Sequence, residues 1–478
     1  MSYVLRPPTS GLDDLSEESR LIATPWSRIV RGIGLGQYPI GYDRATDELI
    51  ERSVTMLSDK LDGADDYTTF SAALVDLILT TVRPRGTDAA VDRGPRLGVV
   101  ASAVRAIENP YSRAIAGTIL LDTLSKLDLR LGEVARDVAR QVLAAVDQIK
   151  PDAIQDENQG RHGDYERVSA STAMFLAFDR AGLADLLSGE RDRISEALAA
   201  LENVPTPFFR GRGGAMLIGA IALLGREDSL ASNGTADSIL ATMDAVDDIG
   251  LYPTFPSSMS EGFIKAYPLL TMLSALSTLS DPHRYVFSGT DRLQEATDLM
   301  AELEPVERTH MALYYVMALE NLGQREAYLP DLNAFVEQVV GLWPDIDPGR
   351  DYFLYGISYA YLIQLAYLSG RVDLITDTMI NRMLGAFRSL EATPEGRANR
   401  PYPFSYALNV LTELGRGDLL HTPHPDYDGR SPYSWVVERL SDGGREEGGR
   451  LYMLDHALIS WALRLRAPNR GRERRTPR

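Results

Sequence analysis

The sequence predicts an all-α protein, and within that class a closed α/α toroid of about six to seven helical hairpins. Apolar residues recur at the three-and-four spacing of amphipathic helices, as in Leu408, Leu411 and Leu414. Signals for β-strands are scarce, because no Asn-Gly or Asp-Gly turn joins two alternating runs. A similar helix-ending signal also returns at intervals close to the length of a helix pair.

The helix-ending signal is a glycine after an apolar run, as in Leu224-Gly225-Arg226 and Leu368-Ser369-Gly370. A glycine suits the left-handed position that closes a helix, and a following acidic residue suits the start of the next helix. The signal positions are Gly182, Gly225, Ser280, Gly323, Gly370 and Gly415, at intervals of 43, 55, 43, 47 and 45 residues. These intervals predict that the repeating unit is an αα-hairpin.

Such hairpins either stack into an open superhelix or close around a central cavity. Variable repeat lengths favour closure, and so do aromatic pairs one turn apart near the predicted helix starts. The pairs are Phe263 with Tyr267, His310 with Tyr314, Tyr355 with Tyr359, Tyr402 with Tyr406, and Tyr452 with His456. Because residues at i and i+4 share a helix face, we expect five ring-lined patches to converge on one mouth. An open helical repeat and unrelated helical bundles are the alternatives.

Composition limits the function classes. The 478 residues include 49 basic and 67 acidic side chains, a net charge of −18, which disfavours nucleic-acid binding. The absence of cysteine excludes disulfides, thiol nucleophiles and thiolate metal sites. No stretch approaches the roughly 20 apolar residues of a membrane span, and Met1 to Gly11 lack the apolar core of a signal peptide. We therefore expect a cytoplasmic protein, and the dominance of arginine over lysine indicates a GC-rich bacterial genome.

The predicted organisation has three parts. Residues 1–40 form an irregular lead-in, residues 41–463 form the helical-hairpin toroid, and residues 464–478 form a basic tail with seven arginines. A tail of this composition is expected to be disordered and solvated, or to bind an acidic partner.

The first candidate for chemistry is the acidic stretch Asp244-Ala245-Val246-Asp247-Asp248. Two adjacent buried carboxylates can raise the pKa of one member and so create a Brønsted acid. The stretch resembles the Asp-x-Asp-Asp acid motif of class II terpenoid cyclases, which are also α/α toroids. This resemblance implies that Asp247 protonates an alkene or epoxide in an aromatic cavity. It covers five residues, Ala245 replaces the family's first aspartate, and the family's Gln-to-Trp repeats are missing. A solvated acidic helix end is the alternative.

Two further segments are candidates for substrate binding. The loop Tyr252 to Gly262 leads into an aromatic helix, so Ser258 or Ser260 is expected to cap that helix, with Glu261 in its first turn. The same loop could form the rim of a cavity. The segment Arg210-Gly211-Arg212-Gly213-Gly214 precedes an apolar helix, where exposed amides and guanidiniums would suit a carboxylate or phosphate. A close-packed turn is the alternative there.

The remaining candidates are tyrosines, histidines and one aspartate. Asp351 precedes a stripe of tyrosines and is the second choice for an acid or base. His310 and His456 are candidate general bases or structural histidines. The short His421 to Asp428 segment is predicted to be a surface loop, and no metal site is expected. The tyrosines expected to bind substrate are Tyr267, Tyr314, Tyr352, Tyr355, Tyr359, Tyr406 and Tyr452.

These observations favour a cofactor-free enzyme that performs acid–base chemistry in an aromatic-lined cavity, such as a terpenoid-type cyclase or lyase. The small-molecule substrate would be apolar or a saccharide, since both stack on aromatic rings. One alternative is a carbohydrate-active α/α-barrel hydrolase, lyase or isomerase. The other is a helical-repeat scaffold that binds a partner protein.

Overall fold

The structure is a computed structural model, and it describes about three fifths of the chain. The described residues are 70, 73–74, 77, 94–126, 132–151, 154–156, 161–188, 191–243, 260–287, 289–346, 352–389, 410–411, 414, 416, 419 and 422–432. Most of them are helical, as the sequence predicts. The described strands form one antiparallel pair, β1 (Ile154–Asp156) and β2 (Arg161–His162), and the other described residues lie in turns and connections.

The described residues include sixteen α-helices. They are α1 (Gly94–Ala106), α2 (Pro110–Lys126), α3 (Gly132–Gln148), α4 (Gly163–Arg180), α5 (Arg193–Glu202), α6 (Pro207–Leu223), α7 (Asp228–Asn233), α8 (Thr235–Met243), α9 (Glu261–Leu276), α10 (His283–Val286), α11 (Arg292–Glu302), α12 (Pro305–Asn321), α13 (Arg325–Tyr328), α14 (Leu332–Val340), α15 (Tyr352–Leu368) and α16 (Asp377–Ser389). Single 3₁₀ turns occupy Ala184–Leu187, Trp343–Asp345, Val372–Leu374 and Pro425–Tyr427.

The described residues divide into two compact units, one within residues 144–381 and the other within residues 70–143 and 382–432. The predicted division at residues 40 and 463 stays a prediction, because both terminal segments lie outside the described residues. In the second unit, Gly117 on α2 lies directly against Val142 on α3, and a methyl group added at Gly117 would be 2.4 Å from Val142 Cγ2. In the same unit the buried Tyr427 donates a hydrogen bond to the carbonyl of Leu384.

In the first unit, long helices buried on all sides alternate with shorter helices buried on one face. The long helices α6 and α12 bury residues around their whole circumference. The shorter α5 buries Ile194, Ala197, Leu198 and Leu201, which form a single stripe at three-and-four spacing. Each long helix packs against the next long helix in chain order, from α4 through α6, α9 and α12 to α15. The long helices therefore form an inner layer of this unit.

Four of the long helices run parallel and begin at the same end of the layer. Between α4 and α6, the ring of Tyr165 contacts the ring of Phe209, and one turn later in both helices Val168 lies next to Gly213. The two helices therefore run in the same direction. Between α9 and α12, Ser260 at the start of α9 donates a hydrogen bond to Glu307 in the first turn of α12. Two turns later in both helices, the ring of Tyr267 contacts the ring of Tyr314. The pair α6 and α9 follows the same order, since Phe208 contacts Tyr267 and Gly214 lies against Met272. We call this the starting end of the layer.

The predicted glycine stops are confirmed at four of the long helices. The φ angles of Gly182, Gly225, Gly323 and Gly370 are 66°, 64°, 66° and 73°. After Gly323, the amide of Gln324 donates to the carbonyl of Leu319 at 2.9 Å, which is the six-to-one bond of a Schellman motif. Aspartate N-caps begin the shorter helices α5, α11 and α14. Local sequence signals therefore define the ends of these helices.

Candidate functional site

A chain of aromatic side chains crosses the inner layer from α4 to α15. We call it the ring cluster, and its members are Tyr165, Phe208, Phe209, Phe263, Tyr267, His310, Tyr314 and Tyr361. All eight side chains are buried, and Tyr267, the most exposed of them, is only 7% exposed. Ring contacts of this kind add to the stability that burial itself provides.

The first half of the ring cluster connects α4, α6 and α9. The rings of Tyr165 and Phe209 have centroids 4.9 Å apart, and those of Phe208 and Phe209 are 5.5 Å apart. Phe208 stacks on Tyr267 of α9 at 5.6 Å. The close approach of the helices here depends on small residues, because a methyl group at Gly213 would lie 3.4 Å from the Tyr165 ring.

The second half of the ring cluster surrounds His310 on α12. The imidazole stacks on Tyr267 at 6.0 Å, meets Phe263 edge-on at 5.9 Å and lies 4.7 Å from the ring of Tyr361. The hydroxyls of Tyr314 and Tyr361 share a hydrogen bond of 2.9 Å. His310 is 3% exposed, so these rings contact an imidazole that is almost entirely removed from solvent.

Ser260 and Glu307 connect the starts of α9 and α12. The Ser260 amide donates to Glu307 Oε1 at 2.6 Å, and the Ser260 hydroxyl donates to Glu307 Oε2 at 2.7 Å. The backbone amide of Glu304 donates to the same carboxylate at 3.2 Å. Ser260 Oγ also accepts from the amide of Phe263 at 3.1 Å, which confirms the predicted cap of this helix. Glu307 is 1% exposed, so three donors compensate its burial.

The buried carboxylates and the buried imidazole described in the first unit lie at the starting end of the layer. Among the described residues from 144 to 381, the buried carboxylates and the buried imidazole are Asp164, Glu166, Glu307 and His310. All four belong to the first two turns of α4 or α12. Parallel helix starts favour negative charge there through their aligned dipoles. Arg167 adds a guanidinium 3.8 Å from Asp164.

A second polar feature of the first unit is an ion-pair network between residue 147 and α5. The Asp147 carboxylate accepts from Arg193 Nη1 at 2.5 Å and from Arg193 Nη2 at 3.2 Å, and Arg191 Nη1 lies 3.1 Å away. Burial opposes ionisation of Asp147, but the hydrogen bonds and charges of both arginines outweigh it and keep its pKa below the usual 3.8. Glu196 bonds to both arginines and completes the network.

The structure brings together three of the residues that the sequence proposed. Tyr267, His310 and Tyr314 all belong to the ring cluster. The hydroxyl of Tyr359 donates to the carbonyl of Trp343 at 3.0 Å. Glu261 is exposed in the first turn of α9, as expected for a residue that follows the cap.

The Arg210 to Gly214 segment differs from its predicted position. Helix α6 begins at Pro207, so the segment lies within the helix rather than before it, and its amides join the helical ladder. The reason is the Thr206-Pro207 start, because proline is favoured in the first helical position. Arg210 Nε donates to the carbonyl of Val204 at 2.9 Å, and Arg212 is half-buried. The glycines allow close packing, since a methyl group at Gly214 would lie 2.7 Å from Ile239 Cδ1.

The other proposed residues are not described at the level of side chains. Tyr352 and Tyr355 belong to α15, of which only the backbone is described at those positions. The remaining candidates lie outside the described residues: Asp247, Asp248, Asp351, Tyr406, Tyr452 and His456.

Sequence reasoning missed several members of this site. Phe208 and Phe209 were overlooked because the helix was expected to begin after them, although the Thr206-Pro207 start was a visible signal. Tyr361 carries no periodic signal, because α15 is apolar on all sides. The position of Glu307 at a helix start was predictable, because Glu304 and Glu307 have the three-residue spacing of a capping box and Pro305 follows Glu304.

Further observations concern metals, membranes and related proteins. Within the described residues, no group of three His, Asp or Glu side chains could hold a metal ion, and no helix is long and apolar enough to cross a membrane. No protein-family model matches the chain, and searches of curated proteins and of solved structures likewise find no match.

Proposed function

We propose that the chain is a cofactor-free enzyme that performs acid–base chemistry on a small molecule at the starting end of the inner layer. The observation that supports this proposal most directly is the position of the buried Asp164, Glu166, Glu307 and His310. Burying a titratable side chain costs free energy, and such groups cluster at functional sites.

The proposal extends to the fold around that end. In it, the helix pairs close into an α/α toroid, as the aromatic pairs of the sequence indicate, and the substrate is an apolar molecule or a saccharide. Asp247 and Asp248 precede α9 in the chain, and Asp351 directly precedes α15. They remain proposed acids on sequence grounds, and a cytoplasmic bacterial origin is proposed on the same grounds.

The test compares turnover in the full chain and in a matched pair of histidine variants. The protein is incubated separately with prenyl diphosphates, oligosaccharides and a cell lysate, and consumed compounds are identified by mass spectrometry. His310→Asn should lower the turnover of any consumed compound by about 100-fold or more, which is typical of losing an acid or base. His283→Asn should leave turnover unchanged, because His283 is exposed on α10.

Asp247→Asn provides a second, independent test of the acid that the resemblance implies, and circular dichroism confirms that each variant is folded. Unchanged turnover in both His310→Asn and Asp247→Asn would refute the proposal of acid–base catalysis with these residues.

A helical scaffold for a partner protein is the second candidate, and the packing of the rings favours it. In the ring cluster the side chains contact one another, so they contribute to the stability of the layer without any ligand. Small-angle scattering distinguishes the two proposals. A compact, round envelope supports the toroidal enzyme, whereas an elongated envelope supports the scaffold.

A further inference from the structure

We propose that a cavity between α4 and α5 binds a single small anion such as chloride. Its polar lining consists of Arg167 and Ser171 on α4 and of Arg193 and Glu196 on α5, and the other lining residues are alanine, valine and methionine. All of them belong to the first compact unit. The inference is independent of the proposed enzymatic activity, because none of these four side chains takes part in it.

The size of the cavity limits the ligand to one small particle. The space open to the centre of a water-sized molecule is about 10 Å³, which is close to the least that one water molecule needs. A sugar ring or an organic acid therefore does not fit. Chloride is somewhat larger than water, and the flexible side chain of Met174 in the lining can move to admit it.

The lining offers hydrogen-bond donors. The Nε atom of Arg167 is buried and has no hydrogen-bond partner among the described residues, and leaving a buried charged donor unsatisfied costs free energy. Nη1 of the same guanidinium lies 3.8 Å from Asp164, which leaves Nε for another acceptor. Ser171 is 5% exposed and adds a hydroxyl, whose proton can rotate toward a ligand. An anion in the cavity supplies the acceptor that these donors need.

Charge favours an anion over a water molecule at this position. The guanidiniums of Arg167 and Arg193 give the lining two positive charges, against the single negative charge of Glu196. Both oxygens of Glu196 already accept hydrogen bonds, Oε1 from Arg191 and Oε2 from Arg193. Outside the lining, the charge of Arg191 is matched by that of Asp147. A water molecule must also donate its two protons, whereas a halide only accepts, so these donors suit the halide better.

An anion in this cavity stabilises the packing of α4 against α5. It accepts from Arg167 and Ser171 on one helix and attracts Arg193 on the other. The Arg193 side chain is only 11% exposed, so its charge is screened less than that of a surface arginine. A ligand that binds only the folded chain raises the free energy of unfolding as its concentration rises. The stability of the chain should therefore depend on halide concentration at constant ionic strength.

The test is thermal unfolding of the full chain in mixtures of sodium chloride and sodium gluconate at constant ionic strength, because gluconate is too large for the cavity. The midpoint should rise with chloride and level off as the site fills, and bromide should replace chloride. In Arg167→Met, which keeps a long side chain without its donors, the chloride concentration that gives half of the effect should rise by about 10-fold or more. Ser171→Ala should raise it several-fold, through the loss of one neutral donor.

The matched control is Arg140→Met, which removes an exposed arginine of α3 that does not line the cavity. This variant should keep the chloride response of the original chain.

The response of the unsubstituted chain does not depend on whether any variant folds. An equal midpoint in chloride and in gluconate would mean that the cavity holds water only, and it would overturn the proposal. The same chloride response in the original chain and in a folded Arg167→Met or Ser171→Ala variant would identify a general salt effect, which also overturns it. Neither result bears on the acid–base enzyme, whose test is the turnover of His310→Asn.

Discussion

Replacing Gly323 with alanine should lower the free energy of unfolding by about 1 kcal/mol, and the cost should come from the backbone alone. Gly323 ends helix α12 with a φ of 66°, and no atom lies within 4 Å of the position that a Cβ would occupy. The left-handed conformation costs a residue other than glycine about 1–2 kcal/mol. Alanine recovers about 0.4–1 kcal/mol by restricting the unfolded chain, which leaves a net loss near 1 kcal/mol.

Two control variants isolate this effect. Gly323→Asn should lose roughly half as much, because asparagine tolerates the left-handed region better than alanine. Gly98→Ala should instead gain about 0.5–1 kcal/mol, because Gly98 lies inside helix α1 with open space around it. Urea unfolding followed by far-ultraviolet circular dichroism measures all three. The reasoning is refuted if Gly323→Ala matches the original stability, or if Gly323→Asn is the less stable of the two variants at that site.

Three further predictions concern polar groups of the first unit. Tyr165→Phe should raise the free energy of unfolding by about 1 kcal/mol, because the buried Tyr165 hydroxyl has no hydrogen-bond partner among the described residues. Tyr314→Phe should lower it by about 1 kcal/mol, because it loses the hydrogen bond to Tyr361. Thermal unfolding checks both, and a destabilised Tyr165→Phe would contradict the first. Asp147→Asn should destabilise the chain at pH 7, since the arginines lower the folded-state pKa of Asp147 below 3.8. That stabilisation is present above pH 3.8 and is lost as the pH falls through the folded-state pKa of Asp147. Urea unfolding of the original chain and of Asp147→Asn should therefore give free energies that converge in acid. A difference in free energy that stays constant with pH would contradict the role of the Asp147 carboxylate.

The sequence by itself determined the all-α class and several of the helix ends, because those depend on local interactions. The glycine stops at Gly182, Gly225 and Gly323 are confirmed, as is the Ser260 cap, since a left-handed turn or a cap needs only neighbouring residues. The pairing of His310 with Tyr314 on one face likewise follows from helical geometry.

The tertiary structure decided which faces meet. Tyr361 joins His310 in the ring cluster while Tyr359 faces Trp343, and the sequence offered no basis for choosing between them, because α15 is apolar all round. The bond between Ser260 and Glu307 joins residues 47 positions apart, and no local rule relates them. Such contacts depend on how neighbouring helices pack side by side, and that packing is fixed by shape complementarity along their whole length rather than by any single segment.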